Sequence, residues 1–126
     1  MEQRIFKFRG KRTDGAGNWV HGSLVTENQN RSFIISSFKV GYNSTLNPVA
    51  HLVIPKTVSQ STGLMDSKVK EIYEGDKLFD GVSQIRVVEY QKEHCAFFLV
   101  DSEWNDNEPM IDISPEYYEV IGNIHQ

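Results

Sequence analysis

The sequence predicts a mostly β chain, on three observations. Apolar and polar residues alternate with a period of two over short stretches, Gly and Pro turn signals recur at close spacing, and helical patterning is nearly absent. A period of two sends successive side chains to opposite faces of a pleated strand, so each stretch offers one face to a core. With 126 residues there is enough chain to bury that core without disulfides or structural metals.

Along the chain, Arg4 to Arg9 sets Phe6 and Phe8 on one face against Ile5, Lys7 and Arg9 on the other. Asp14-Gly15-Ala16-Gly17-Asn18 is turn chemistry, and Trp19 to Val25 is the partner strand of a hairpin. Ser32 to Phe38 carries the run Phe33-Ile34-Ile35 before a polar loop from Gly41 to Pro48. Val49 to Ile54 reads as extended and stops at Pro55, and Val58 to Ser61 continues as a strand toward Thr62-Gly63.

In Tyr73-Glu74-Gly75-Asp76, Gly75 permits a positive φ and the Asp76 carboxylate can accept from nearby backbone donors, which makes Gly75-Asp76 a structural turn launching a small barrel. Asp76 to Phe79 is then a short strand ended by Asp80-Gly81. Ser83 to Glu93 and Cys95 to Asp101 form a long hairpin across Gln91-Lys92-Glu93-His94. Its second arm places Cys95, Phe97 and Leu99 on one face and Ala96, Phe98 and Val100 on the other. Both faces are apolar, so each must be covered, either within the chain or by another copy. Ala96, Phe98 and Val100 are therefore the candidate self-association surface.

Ser114-Pro115-Glu116 supplies a cap residue, a proline at the first helical position and an acid in the first turn, enough for one helical turn. Glu119 to Ile124 closes the chain as a strand. Short strands with Gly and Pro turns, plus one helical turn before the last strand, predict an SH3-like small barrel over residues 57–126. Residues 1–56 are then a β-rich N-terminal extension, the two forming one intertwined unit.

The formal net charge of -4 conceals an uneven layout. Residues 1–12 hold five basic groups against one acid, whereas residues 93–126 hold eight acids and no Lys or Arg. Such opposed ends can meet within a chain, join copies head to tail, or leave the basic arm to hold an anion. The plainer alternative is that both are solvated faces. Arg4, Lys7, Arg9, Lys11 and Arg12, with Trp19 as a stacking ring, form the candidate anion or nucleic-acid contact. A sequence pI of about 5.5 argues against it, since nucleic-acid-binding domains usually exceed pI 9.

Catalytic patterns are missing. His94 and Cys95 are adjacent, so on a strand they face opposite ways and cannot pair; Cys95 reads as a buried strand residue. No serine sits in a G-x-S-x-G elbow, and the four histidines show no ligand spacing. Asp101-x-Glu103-x-Asn105 mimics the start of a calcium loop, but the position requiring Gly is Asp106 and the last ligand position is Asp112. The segment reads as a solvated acidic loop holding Trp104. No enzyme activity, metal or cofactor is expected. One cysteine, no long apolar run and no secretory pattern at Met1 to Lys7 point to a cytoplasmic protein with no membrane partner.

Four blocks carry a family resemblance: Ile5 to Arg12 with Trp19-Val20-His21-Gly22; Val53 to Gln60; Thr62-Gly63-Leu64-Met65-Asp66 through Lys70-Glu71-Ile72-Tyr73-Glu74-Gly75-Asp76; and Glu119 to Ile124. In this order they resemble the YopX family of bacterial prophages and other mobile elements. Where the family commonly reads Lys-Asn-Gly-Lys, this chain has Ser67-Lys68-Val69-Lys70. Val69 does not reach positive φ cheaply, so the turn is expected to be wider or of another type. The resemblance implies a mostly β protein with an SH3-like barrel and self-association, but no activity. The expectation is an uncharacterised prophage-encoded accessory protein of the bacterial host cytoplasm that acts by binding or as a homo-oligomer. The alternative is nucleic-acid binding through the basic N-terminal strand.

Overall fold

A computed structural model describes residues 6–14, 18–101, 103 and 106–125. The chain is mostly β and divides into two compact units, residues 1–60 and 61–126. In the first unit, strands β1 (Phe8–Lys11), β2 (Trp19–Asn28), β3 (Arg31–Val40) and β4 (Leu46–Val53) pair antiparallel in the order β4-β3-β2-β1. The free edge of β1 takes the first two residues of β5 (Ser59–Met65), with Phe8 opposite Gln60 and Arg9 opposite Ser59.

Two strands run longer than their sequence suggests. β3 continues to Val40, and β4 begins at Leu46, inside the stretch expected to be a polar loop. Cross-strand pairing explains the extension: Phe38 lies opposite Pro48 and Val40 opposite Leu46, so apolar residues match across the hairpin. Pro48, unfit for a central strand, is tolerated because β4 is an edge. Only residues 41–45 stay outside the strands, with Asn43 and Ser44 at φ of 62° and 61°. Gly22 on β2 allows a close approach, since a Cβ there would lie 2.0 Å from the Ile35 carbonyl oxygen. Ile34 and Val53 are the fully buried apolar residues of this unit among those described.

In the second unit the remainder of β5 pairs with β6 (Glu71–Tyr73). Five more strands follow: β7 (Asp76–Phe79), β8 (Ile85–Gln91), β9 (Ala96–Asp101), β10 (Asp106–Pro109) and β11 (Glu119–Asn123), in the order β10-β9-β8-β7-β11. Ile72, Leu78, Val88, Leu99, Met110 and Val120 form its core, with Leu64, Phe97, Ile113 and Tyr118 packed around them. The single turn of helix predicted at Ser114 is a 3-10 turn, Pro115–Tyr117.

A closed barrel is not shown. A sheet closes only where its two edge strands exchange hydrogen bonds, and among the described residues β10 and β11 do not pair. The ladder is an open five-stranded sheet; β10 spans four residues and ends at Pro109, which has no N–H to donate. Cys95 also departs from expectation. It lies in the turn before β9, exposed, at φ 50°, with Sγ 3.6 Å from the Lys92 carbonyl oxygen. The hairpin is one residue shorter on that arm, and the turn claims the thiol.

Candidate functional site

The launching turn behaves as its chemistry demands. Gly75 has φ 86°, and Asp76, fully buried, accepts a hydrogen bond from the Tyr73 N–H at 2.8 Å. The Gly75 N–H donates to the Val88 carbonyl at 2.8 Å, and the Ile124 N–H donates to the Gly75 carbonyl at 2.9 Å. These bonds tie β7 to its neighbours in the sheet, a structural role.

A second turn, residues 66–70, is held by one carboxylate. Asp66 Oδ1 accepts from the N–H groups of Lys68 and Lys70 at 2.9 and 2.8 Å, and Oδ2 accepts from the Val120 N–H at 2.9 Å. Burial alone would raise the Asp66 pKa. The bonds from Val120, Lys70 and Lys68 and the Lys70 charge outweigh it and hold the carboxyl below its ordinary value. Val69 sits at φ 60°, so the turn is not widened around the β-branched residue; the Asp66 clamp forces that residue into the left-handed region.

The basic candidates separate. Arg4 lies outside the described residues. Lys7 is half-buried just before β1, and Arg9 on β1 is only 6% exposed. Lys11 pairs across from Trp19, so Arg9 and Lys11 share the Trp19 face of the sheet. The Arg9 guanidinium carbon lies 4.7 Å from the Trp19 ring centroid and Lys11 Nζ lies 5.7 Å from it. Arg12, half-exposed, is ion-paired with Asp14. The strand thus brings Arg9, Lys11 and Trp19 together, but as a mutual cation-π stack.

The apolar face of β9 is also largely covered. Phe98 is 8% exposed and packs at 5.0 Å on the His94 ring, while Ala96 and Val100 are half-buried. Opposite them in the ladder stand Val87, Glu89 and Gln91 on β8 and Asn107 and Pro109 on β10, so this face has both apolar and polar neighbours.

Arg86 on β8 is a hub for acids of residues 93–126. Its side chain is buried, with Nη1 2.9 Å from Glu108 and 3.3 Å from Asp106, and Nη2 donating to the Tyr118 hydroxyl at 2.8 Å. Burial would lower its pKa, but the Glu108 hydrogen bond and the surrounding charges keep it raised. Asp101 accepts from the Glu103 N–H and from Gln84. Trp104 and Asn105 lie outside the described residues. Among those described, no three His, Cys, Asp or Glu side chains gather as a metal site.

One exposed apolar surface is absent from the sequence-based candidates. At the far end of the β3–β4 hairpin, Phe38 (57% exposed), Val40 (73%), Leu46 (65%) and Pro48 stand on one face in direct cross-strand pairs, with Tyr42 (89%) at the tip. Ser37, Lys39, Asn47 and Val49 occupy the other face. The alternation Phe38-x-Val40 and Leu46-x-Pro48 was readable, but the intervening Gly, Asn and Ser residues disguise it as loop. In the second unit, Thr62, Leu64, Ala96, Phe97, Met110 and Ile111 line a mostly apolar groove of about 310 Å³. Charge differs just as sharply between the units: eight basic against three acidic groups in residues 1–60, net +5, and five against fourteen in residues 61–126, net -9.

The family described as YopX protein matches residues 7–126, nearly the whole chain, and the protein belongs to the YopX family. No curated protein matches it. No helix among the described residues is long and apolar enough to cross a membrane.

Proposed function

Given its membership of the YopX family, we propose that the protein is a non-catalytic accessory factor that works by binding and assembles with copies of itself. The observation that supports this reading most is the amphipathic end of the β3–β4 hairpin. A two-stranded hairpin is marginal in water, and a contiguous exposed apolar face of this kind marks an interaction surface. Phe38, Val40, Tyr42 and Leu46 therefore join Ala96, Phe98 and Val100 as candidates for the self-association surface. We place the protein in the cytoplasm of a bacterial host, encoded by a prophage or similar element, in keeping with the family resemblance and the lone cysteine.

Sedimentation velocity over a concentration series tests the reading. Assembly should appear in the micromolar range as a shift to larger species; a monomer throughout that range at moderate salt would remove self-assembly from the proposal.

Nucleic-acid binding is the second reading, and the meeting of Arg9 and Lys11 with Trp19 favours it. The burial of Arg9 weighs the other way, because a base must displace a cation already stacked on the ring. Single-stranded oligonucleotides should bind with steep salt dependence if this reading holds, and Lys11→Ala should flatten the slope by about one unit. Absence of binding at low salt would dismiss it.

A further inference from the structure

We propose that the apolar end of the β3–β4 hairpin of one copy seats in the Leu64–Phe97–Ile111 groove of the next, a head-to-tail contact that rests on the self-assembly reading and specifies its geometry. The two surfaces are different patches of the same chain, one convex and one concave, and each is incomplete without cover.

The convex partner presents Phe38, Val40, Leu46 and Tyr42. The concave partner has the half-buried side chains of Leu64, Ala96 and Phe97 along it, Met110 buried beneath, and Ile111, 90% exposed, at its rim. Its volume of about 310 Å³ is at the small end of ligand pockets, which run from ~300 to ~1,000 Å³, and accommodates one or two large apolar side chains. A hairpin carrying such side chains on one face matches it in size and polarity.

Charge selects a second copy as the occupant. The hairpin belongs to the unit of net +5 and the groove to the unit of net -9, so a head-to-tail approach brings unlike charges together. Hairpin to hairpin or groove to groove brings like charges together. Asp112 follows Ile111 in the chain, and Lys39 stands on the face of the hairpin opposite Phe38 and Val40, both exposed. A heterologous contact of this kind repeats from copy to copy, producing a ring if the rotation closes and a filament if it does not.

Complementation between two defective chains tests the proposal. Phe38→Glu with Val40→Glu removes the hairpin patch and leaves the groove; Ile111→Arg blocks the groove and leaves the hairpin. These positions are exposed, so the folds should hold, with circular dichroism as the check and Tyr42→Glu as a replacement hairpin variant. Each chain alone should sediment as a monomer, its self-affinity weakened at least about ten-fold, and a mixture should form a 1:1 dimer through the one intact contact. If Ile111→Arg assembles like the unaltered protein while the hairpin variant does not, the groove proposal falls and self-assembly through the hairpin stands. If the unaltered protein is monomeric, both fall. If the mixture stays monomeric while the unaltered protein assembles, the head-to-tail pairing is wrong.

Discussion

The 61–126 unit buries a cluster of six apolar side chains between its strands, whereas the 1–60 unit fully buries Ile34 and Val53 and leaves the far half of its longest hairpin apolar on an exposed face. Both are antiparallel and both are built from short, alternating strands. The difference lies in what covers the sheet. In the second unit Met110, from the turn after β10, and Val120, from β11, join Leu78, Val88 and Leu99 in one core. In the first, β3 and β4 run on past the buried Ile34 and Val53, and nothing in their sequence returns to cover Phe38 and Val40. One unit uses its apolar residues for its own stability; the other holds some at the surface, where the proposed self-association would use them.

Substitutions can break or sharpen that contrast. Leu99→Ala removes a fully buried side chain from the larger core and should destabilise the protein by about 2–5 kcal/mol, read from a shift in the denaturant midpoint. Asp66→Asn comes next. It removes a charged acceptor of three backbone N–H groups and should cost about 2–3 kcal/mol. Its pH signature is distinct: with the folded carboxyl held below its ordinary value of 3.8, the Asp66 contribution is present above that value and fades as pH falls through the lower folded one. Stability curves of the two proteins should therefore converge in acid. If they stay parallel, the carboxylate is not the clamp.

Val69→Gly should act in the opposite direction, raising stability by about 1 kcal/mol by relieving the left-handed β-branched residue. Thermal denaturation checks it, and a lower midpoint would mean that the exposed valine has a contact worth more than its strain. The smallest effect belongs to the first unit: Phe38→Ser should change folding stability by no more than about 0.5 kcal/mol. A loss comparable with that of Leu99→Ala would show that the hairpin face is covered within the chain.

Much of the fold could be read from local pattern. The Gly75-Asp76 turn, the β8–β9 hairpin and the short helical turn at Pro115 each depend on neighbours within a few residues, and each forms where its chemistry places it. What escaped depends on distant partners. Asp66 is an ordinary turn residue until Val120, far along the chain, donates to it. Arg9 looks like part of a solvated basic strip until β2 lays Trp19 against it. In the β3–β4 hairpin the alternation itself is local, but the pairing that turns a loop-like stretch into strand depends on the register that sets Phe38 opposite Pro48 and Val40 opposite Leu46. Barrel closure, similarly, is decided by whether two edges meet, which no local window contains.

The turn between β8 and β9 carries one more consequence. Cys95 is the single cysteine of the sequence and is exposed, away from the buried core of its unit. A thiol-reactive fluorophore will therefore attach at one known point on each copy without disturbing a strand. Energy transfer between donor-labelled and acceptor-labelled chains then measures the spacing from one copy to the next, which distinguishes a paired dimer from a ring or a filament in solution.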